Sequence, residues 1–179
     1  MKISSFQSGE ENRYLAAQAV HAVIYKGQSL RQWTNNQRQS GHTTKTEKYI
    51  NAYLLGSLCW FIQNKTILSC LLRSPIKEKD KIVEILLCGA IYEITRMRTP
   101  DYAVVSSTVE AVNIAQKPHL KALANATLRN FIRAKGEFIT KAMLSLEGRY
   151  SFPLWFIEQT KKDYPNDWQS ILDASNQIP

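Results

Sequence analysis

Apolar residues recur at helical spacing along almost the whole of this chain, and no segment sustains the every-second-residue alternation of a half-buried strand. A helix with one apolar stripe, in a chain without a sheet, can bury that stripe only against other helices. The pattern therefore predicts an all-α bundle. Start and stop signals cut it into about eight helices.

Ser8-Gly9-Glu10-Glu11 reads as a capping box that opens a helix running to Gly27, with Leu15, Ala19, Val20, Val23 and Ile24 on its apolar face. Gln28 to Trp33 reads as a short amphipathic piece, and the Asn-, Gln- and Ser-rich stretch Thr34 to Thr44 as a solvated loop. Thr44-Lys45-Thr46-Glu47 repeats the box. From Tyr49 to Leu72 the only charge is Lys65, a length that could span a bilayer. Asn51, Ser57, Gln63 and Asn64 dilute it, and Ile50, Leu54, Leu58 and Phe61/Ile62 form a single stripe, so a core helix followed by a short one is expected instead.

Ser74-Pro75 breaks the chain. Lys77 to Arg96 then reads as a helix with Ile82, Ile85/Leu86, Gly89/Ala90 and Ile94 inward, and Arg96 to Pro100 as a basic connector. Ser107-Thr108-Val109-Glu110 offers a third capping box. Pro118 precedes a helix through Leu120, Leu123, Ala124, Leu128, Phe131 and Ile132 that stops near Gly136. Glu137 to Glu147 reads as another, closed by Gly148. Two short helices follow, Pro153–Asp163, with Ser151 as candidate cap, and Pro165–Ala174.

Charge is distributed unevenly. Residues 1–72 carry a net +5, residues 73–141 another +5, and residues 142–179 a net −2. The basic body suits a polyanion, nucleic acid before membrane. Cys59, Cys70 and Cys88 sit in apolar runs, an odd count without close pairs, which points to a reducing cytoplasm and to packing rather than catalysis. No metal-ligand spacing occurs, so no metal is expected. No G-x-G or P-loop occurs, and His21, His42 and His119 are scattered. No catalytic residue is assigned.

Three segments carry a family resemblance. They are the helix with Gly89, Tyr92 and Glu93 leading to Arg96-Met97-Arg98-Thr99-Pro100, then Thr108-Val109-Glu110-Ala111-Val112, and then Asn125-Ala126-Thr127-Leu128-Arg129-Asn130-Phe131. Their order and separation over residues 10–136 resemble the NusB family. That helical RNA-binding fold occurs in a transcription antitermination factor and as the front domain of RsmB-type ribosomal RNA methyltransferases. Phe152-Pro153-Leu154-Trp155-Phe156 and Tyr164-Pro165-Asn166-Asp167-Trp168 are similar to the segments that join this domain to the methyltransferase body in the RsmB branch. The tail thus favours that branch. A free-standing antitermination-type regulator is the alternative, and a basic face that contacts nothing, in a domain that only docks, is a third reading.

The resemblance implies a bundle over residues 1–149 and a helical connector over 150–179, toward a methyltransferase domain that would follow Pro179. On that expectation this chain alone is not an enzyme and holds no cofactor. Its parent would use S-adenosylmethionine on cytosine carbon 5 of 16S ribosomal RNA, and its partners would be that RNA and its own catalytic domain. The antitermination factor has an arginine-rich first helix, whereas here Arg13 stands almost alone, and the family's usual Gly after the motif asparagine is Ala126.

The candidate RNA contacts are Arg129 and Arg133, four apart on one helix face, with Lys117 and Lys121 at its start, then Arg96 and Arg98, and Arg13. Each has a plainer reading: local ion pairs for the helix stripe, and charges complementing a helix C-terminus for Arg96 and Arg98. Lys77, Lys79 and Lys81 alternate with acids as a solvated turn. Asn125 reads as a buried group satisfying backbone, and Glu93 as an ion-pair partner of a helix neighbour. Phe152, Trp155 and Trp168 are expected to dock against the catalytic body.

Overall fold

The computed structural model describes residues 9–38 and 44–177. Among these there is no strand, and eleven α-helices follow one another. They are α1 (Gly9–Lys26), α2 (Leu30–Arg38), α3 (Thr44–Cys59), α4 (Phe61–Leu71), α5 (Lys81–Arg96), α6 (Asp101–Ile114), α7 (Lys121–Arg133), α8 (Lys135–Ala142), α9 (Leu146–Tyr150), α10 (Leu154–Asp163) and α11 (Trp168–Ser175). Single 3-10 turns at Glu78–Asp80 and Pro118–Leu120 lead into α5 and α7. Eleven helices stand where about eight are expected: the breaks at Trp60 and Ala134 fall close to expected helix ends, whereas α9 is an added helix that re-nucleates after Met143–Ser145, where one helix is expected to run from Glu137 to Glu147.

α5 is the axis. Every residue from Val83 to Ile94 is buried, not one face alone, because α1, α3, α4, α6 and α7 all pack around it. Two tyrosines set the α3–α5 crossing. Tyr92 of α5 lies against Gly56 of α3, and Tyr53 of α3 lies against Gly89 of α5; a Cβ at either glycine would overlap the facing ring. The two rings meet edge to face at 6.4 Å between centroids. Leu86, Ile91, Leu128 and Phe131 are fully enclosed, each burial worth about 1.5–3 kcal/mol.

Several helix ends differ from those the sequence predicts. Ser29 and Gln32 make a reciprocal capping box, Ser29 Oγ accepting from the Gln32 amide at 3.2 Å and Gln32 Oε1 accepting from the Ser29 amide at 3.1 Å. This starts α2, which continues through the expected loop to Arg38. Ser107 caps nothing: α6 begins at Asp101 directly after Pro100, and the Ser107 hydroxyl donates to the Ala103 carbonyl at 2.8 Å. The Ser8 cap and His42 lie outside the described residues, as do the side chains of the Thr44–Glu47 box.

Gly136 and Gly148 are not helix stops. Gly136 lies within α8, and Gly148 lies within α9, where a Cβ would overlap the Ala142 carbonyl. Ser145 caps α9 by accepting from the Gly148 amide at 3.1 Å. Ser151 closes α9 rather than opening α10, in a left-handed conformation at φ 57°. Its hydroxyl donates to the Cys59 carbonyl at 2.9 Å and accepts from the Gln63 amide at 3.2 Å, while Gln63 Nε2 donates to the Gly148 carbonyl at 2.7 Å. These bonds fasten α9 to the start of α4.

Beyond that joint the tail builds a small core of its own. Tyr150, Ile157 and Leu172 are buried together, with Leu146, Phe152 and Trp168 packed around them. Asn176 Nδ2 donates to the Tyr150 carbonyl at 2.5 Å and closes the unit.

Candidate nucleic-acid interface

The seven basic candidates divide by what their charged ends touch. Arg13 belongs to the interior: it is 4% exposed, and its guanidinium grips both carboxylate oxygens of Glu93, at 2.6 Å and 2.9 Å, and donates to the Gly9 carbonyl at 2.9 Å. A phosphate cannot reach it, so its assignment to RNA is corrected. The Glu93 partner is on another helix, not its own.

Lys117 and Lys121 are engaged by acids. Lys117 Nζ lies 2.8 Å from Asp80 Oδ1 and donates to the Lys79 carbonyl at 3.0 Å. Lys121 Nζ lies 3.0 Å from Glu110 Oε2. Both carboxyls are held below the usual carboxylate range, chiefly by these lysine hydrogen bonds. Arg96, the last residue of α5, lies flat on Trp60 with its guanidinium carbon 3.4 Å from the ring centroid and donates to Gln63 Oε1 at 2.8 Å. It extends the α4–α9 joint through Gln63.

Arg129 and Arg133 are exposed on α7, and their partners are neutral. Arg129 Nε donates to Asn125 Oδ1 at 3.0 Å, and Arg133 Nη2 donates to Asn130 Oδ1 at 2.8 Å. Amide oxygens orient a guanidinium without cancelling its charge. Asn125 therefore serves Arg129 and not the backbone. Arg98 is exposed in the connector before α6.

The connector between α4 and α5 supplies Arg73, for which the sequence gives no signal, beside Lys77 and Lys79 of the expected solvated turn. Arg73, Lys77 and Lys79 are exposed, and like Arg98, Arg129 and Arg133 they form no ion pair among the described residues. Lys77 and Lys79 alternate with Glu78 and Asp80, but Asp80 is committed to Lys117. The alternation in sequence therefore overstates the neutralisation in space. Arg73, Lys77, Lys79 and Arg133 border one cleft of about 700 Å³ between this connector and α7.

The apolar candidates also separate. Phe152 and Trp168 are half-buried within the tail's own core, Trp168 edge to face with Tyr150 at 5.4 Å and covered by the Lys161 ammonium at 4.7 Å. Trp155 is 70% exposed, touching Phe156 at 5.6 Å between centroids, and Leu154 beside it is 48% exposed. Only Trp155 of the three presents itself to solvent.

No cluster of His, Cys, Asp and Glu among the described residues could hold a metal, and no helix is long and apolar enough to cross a membrane. Cys88 is buried and its thiol is pushed up by desolvation, the opposite of an activated nucleophile. Cys59 is exposed rather than packed in the core, its backbone carbonyl held by Ser151.

Residues 10–133 match the NusB family, and residues 152–179 match the ferredoxin-like domain of RsmF/B-like methyltransferases. The chain is 37% identical over 135 residues to a probable ribosomal RNA small subunit methyltransferase B of Coxiella burnetii, covering 75% of this chain and 31% of that protein. It is 33% identical over 167 residues to the ribosomal RNA small subunit methyltransferase B of Shigella boydii, covering 93% of this chain and 38% of that protein. An Escherichia coli protein of the same name is 32% identical over the same length. The chain thus spans about a third of the length of these curated relatives.

Proposed function

The chain belongs to the NusB family, and from that membership we propose that it is the RNA-holding part of a ribosomal RNA small-subunit methyltransferase. In this reading it binds 16S ribosomal RNA through backbone phosphates and presents it to a methyl-transferring domain that modifies cytosine carbon 5, in the cytoplasm. The observation that carries the reading is the set of exposed, unneutralised cations Arg98, Arg129, Arg133, Arg73, Lys77 and Lys79, on a fold otherwise careful to pair its buried charges. Fixed positive charge without internal counter-charge gives an electrostatic, salt-dependent hold on a polyanion.

Methyl transfer itself is assigned to a part of the relatives that this chain does not match. The chain has no G-x-G sequence, and its described residues form no strand-to-helix turn, so none of its residues is proposed to hold S-adenosylmethionine. No step of the chemistry is routed through these residues. Residues 150–179 are read as the joint to the catalytic part: α9 is fastened to α4, and Trp155 of α10, exposed in this chain, is the side chain proposed to pack against that part.

The test is titration of a fluorescently labelled fragment of small-subunit ribosomal RNA at several salt concentrations. Binding should weaken steeply with salt, by about 0.7–0.9 in log–log slope per phosphate engaged. No binding at low salt would overturn the reading.

A further inference from the structure

We propose that Ser151 is a latch: its hydroxyl, inserted into the broken helical turn between α3 and α4, holds α9–α11 in one orientation on the bundle, and when it withdraws the turn closes behind it. The latch stands independently of any RNA binding.

α3 and α4 are nearly one helix. The Trp60 amide donates to the Gly56 carbonyl at 3.0 Å and the Asn64 amide to the Trp60 carbonyl at 2.9 Å, so helical bonding stops and restarts at a single residue. That residue, Trp60, adopts φ −102° and ψ 12°. Neither proline nor glycine lies between Leu58 and Gln63 to force the break. In an unbroken helix the Gln63 amide would donate to the Cys59 carbonyl, one turn back. Here Ser151 Oγ stands between them, accepting from the Gln63 amide at 3.2 Å and donating to the Cys59 carbonyl at 2.9 Å. A side chain from far along the chain thus occupies a rung of the helical ladder, and such insertion bends helices.

The joint is polar, whereas the bodies on either side of it are apolar inside. Tyr150, Ile157 and Leu172 form a core separate from that of the bundle. Between the two lie the Ser151 bonds and the bond from Gln63 Nε2 to the Gly148 carbonyl at 2.7 Å. Water can replace such bonds, and polar joints between separately cored bodies are where relative motion is expected. Met143–Ser145, the break between α8 and α9, supplies the hinge, with Met143 46% and Leu144 85% exposed.

Withdrawal of Ser151 strands no backbone group. The Cys59 carbonyl and the Gln63 amide are each other's helical partners, so each satisfies the other once the hydroxyl leaves. Closing the turn shifts Trp60, on whose ring the Arg96 guanidinium lies at 3.4 Å, and Gln63, whose Oε1 accepts from Arg96 at 2.8 Å. The position of α9–α11 is thereby felt at the end of α5. Ser151 immediately precedes residues 152–179, which match the ferredoxin-like domain, so the latch sets how that segment stands against the bundle.

The experiment uses the full chain, isotopically labelled, and Ser151→Gly. Ser151 adopts φ 57°, which glycine accepts, so the variant removes the hydroxyl and leaves the turn. Backbone residual dipolar couplings of α1–α8 and α9–α11 should fit one alignment in wild type and two in Ser151→Gly. The Gln63 amide should keep its protection from hydrogen exchange. The Trp60 Cα resonance should move toward helical values, and its indole N–H should shift with loss of the Arg96 stack. An unchanged melting midpoint of the bundle verifies folding.

A Ser151→Gly chain that aligns as one body, as wild type does, would show Ser151 to be a turn residue only and sink the latch. Separate alignment with Trp60 unshifted and Gln63 exchanging about tenfold faster, the scale of one lost hydrogen bond, would make the hydroxyl a fixed peg and overturn closure of the turn. Ser151→Ala, also without the hydroxyl, should separate the bodies as Ser151→Gly does. Separation in the alanine variant alone would trace the orientation to backbone conformation and overturn the proposal.

Discussion

Arg13 of α1 and Glu93 of α5, eighty positions apart in the chain, meet in a two-pronged ion pair at side-chain exposures of 5% and 0%. The pair bolts the first helix to the central one. Two charges withdrawn from water must compensate each other, and removing Arg13 takes away the two charge-assisted hydrogen bonds that Glu93 accepts from it. Arg13→Met should destabilise the protein by about 3–5 kcal/mol, roughly 10 °C in Tm. Arg13→Met/Glu93→Leu should recover most of the loss, because a well-packed apolar pair substitutes for a buried ionic one. Urea denaturation of the three variants checks this; a double variant as weak as the single one would contradict it.

Two glycines should respond oppositely to the same substitution. Gly89→Ala drives a methyl into the Tyr53 ring and should cost about 1–3 kcal/mol by overpacking. Gly136→Ala, in α8 with open space around it, should stabilise by about 0.4–1 kcal/mol through helix propensity and a less flexible unfolded chain. Equilibrium unfolding of both variants reads the contrast.

Acid should loosen the connector first. Asp80 is held below the ordinary carboxylate range by the Lys117 hydrogen bond, with burial opposing. A depressed folded value means that its stabilisation is complete above the unfolded carboxylate value, near pH 4, and fades as pH falls through the lower folded value. Wild type should therefore lose more stability than Lys117→Met on acidification from pH 5 to pH 2. Parallel curves in denaturant midpoint against pH would refute the coupling.

The two tail tryptophans should separate cleanly. Trp155→Ser should leave Tm almost unchanged, within about 0.5 kcal/mol, since the ring is exposed. Trp168→Ala removes a ring packed on Tyr150 and should cost about 2–4 kcal/mol of the tail's own stability, with loss of the α10–α11 helical signal before that of the bundle. Hydrogen exchange resolved by segment distinguishes the two.

The sequence segments that announced the family are mainly architectural. Gly89 admits Tyr53, Tyr92 fills the space at Gly56, and Glu93 receives Arg13, so that motif is legible because three interhelical contacts converge on it. Leu128 and Phe131 of the later motif are fully buried, and Arg129 is its exposed charged residue. Arg13, assigned to RNA by its place on the first helix and not by these motifs, is instead the buried partner of Glu93. Arg73 lies in a break between helices where no periodicity exists to place it, and Lys77 and Lys79, expected at the start of a helix as a solvated turn, precede α5, which begins only at Lys81.

What the sequence determined by itself is the all-α class, the major helices and the branch indicated by the Trp-bearing tail, because period, proline breaks and short motifs are local properties that survive without a partner. What the tertiary structure alone decided is which charges are free. Lys79, flanked by Glu78 and Asp80 in sequence, forms an ion pair with neither among the described residues, and Arg13 turns inward because a carboxylate eighty positions away is buried to meet it. Neutralisation depends on distances between helices, and those are set by how the helices pack, not by the order of residues along any one of them.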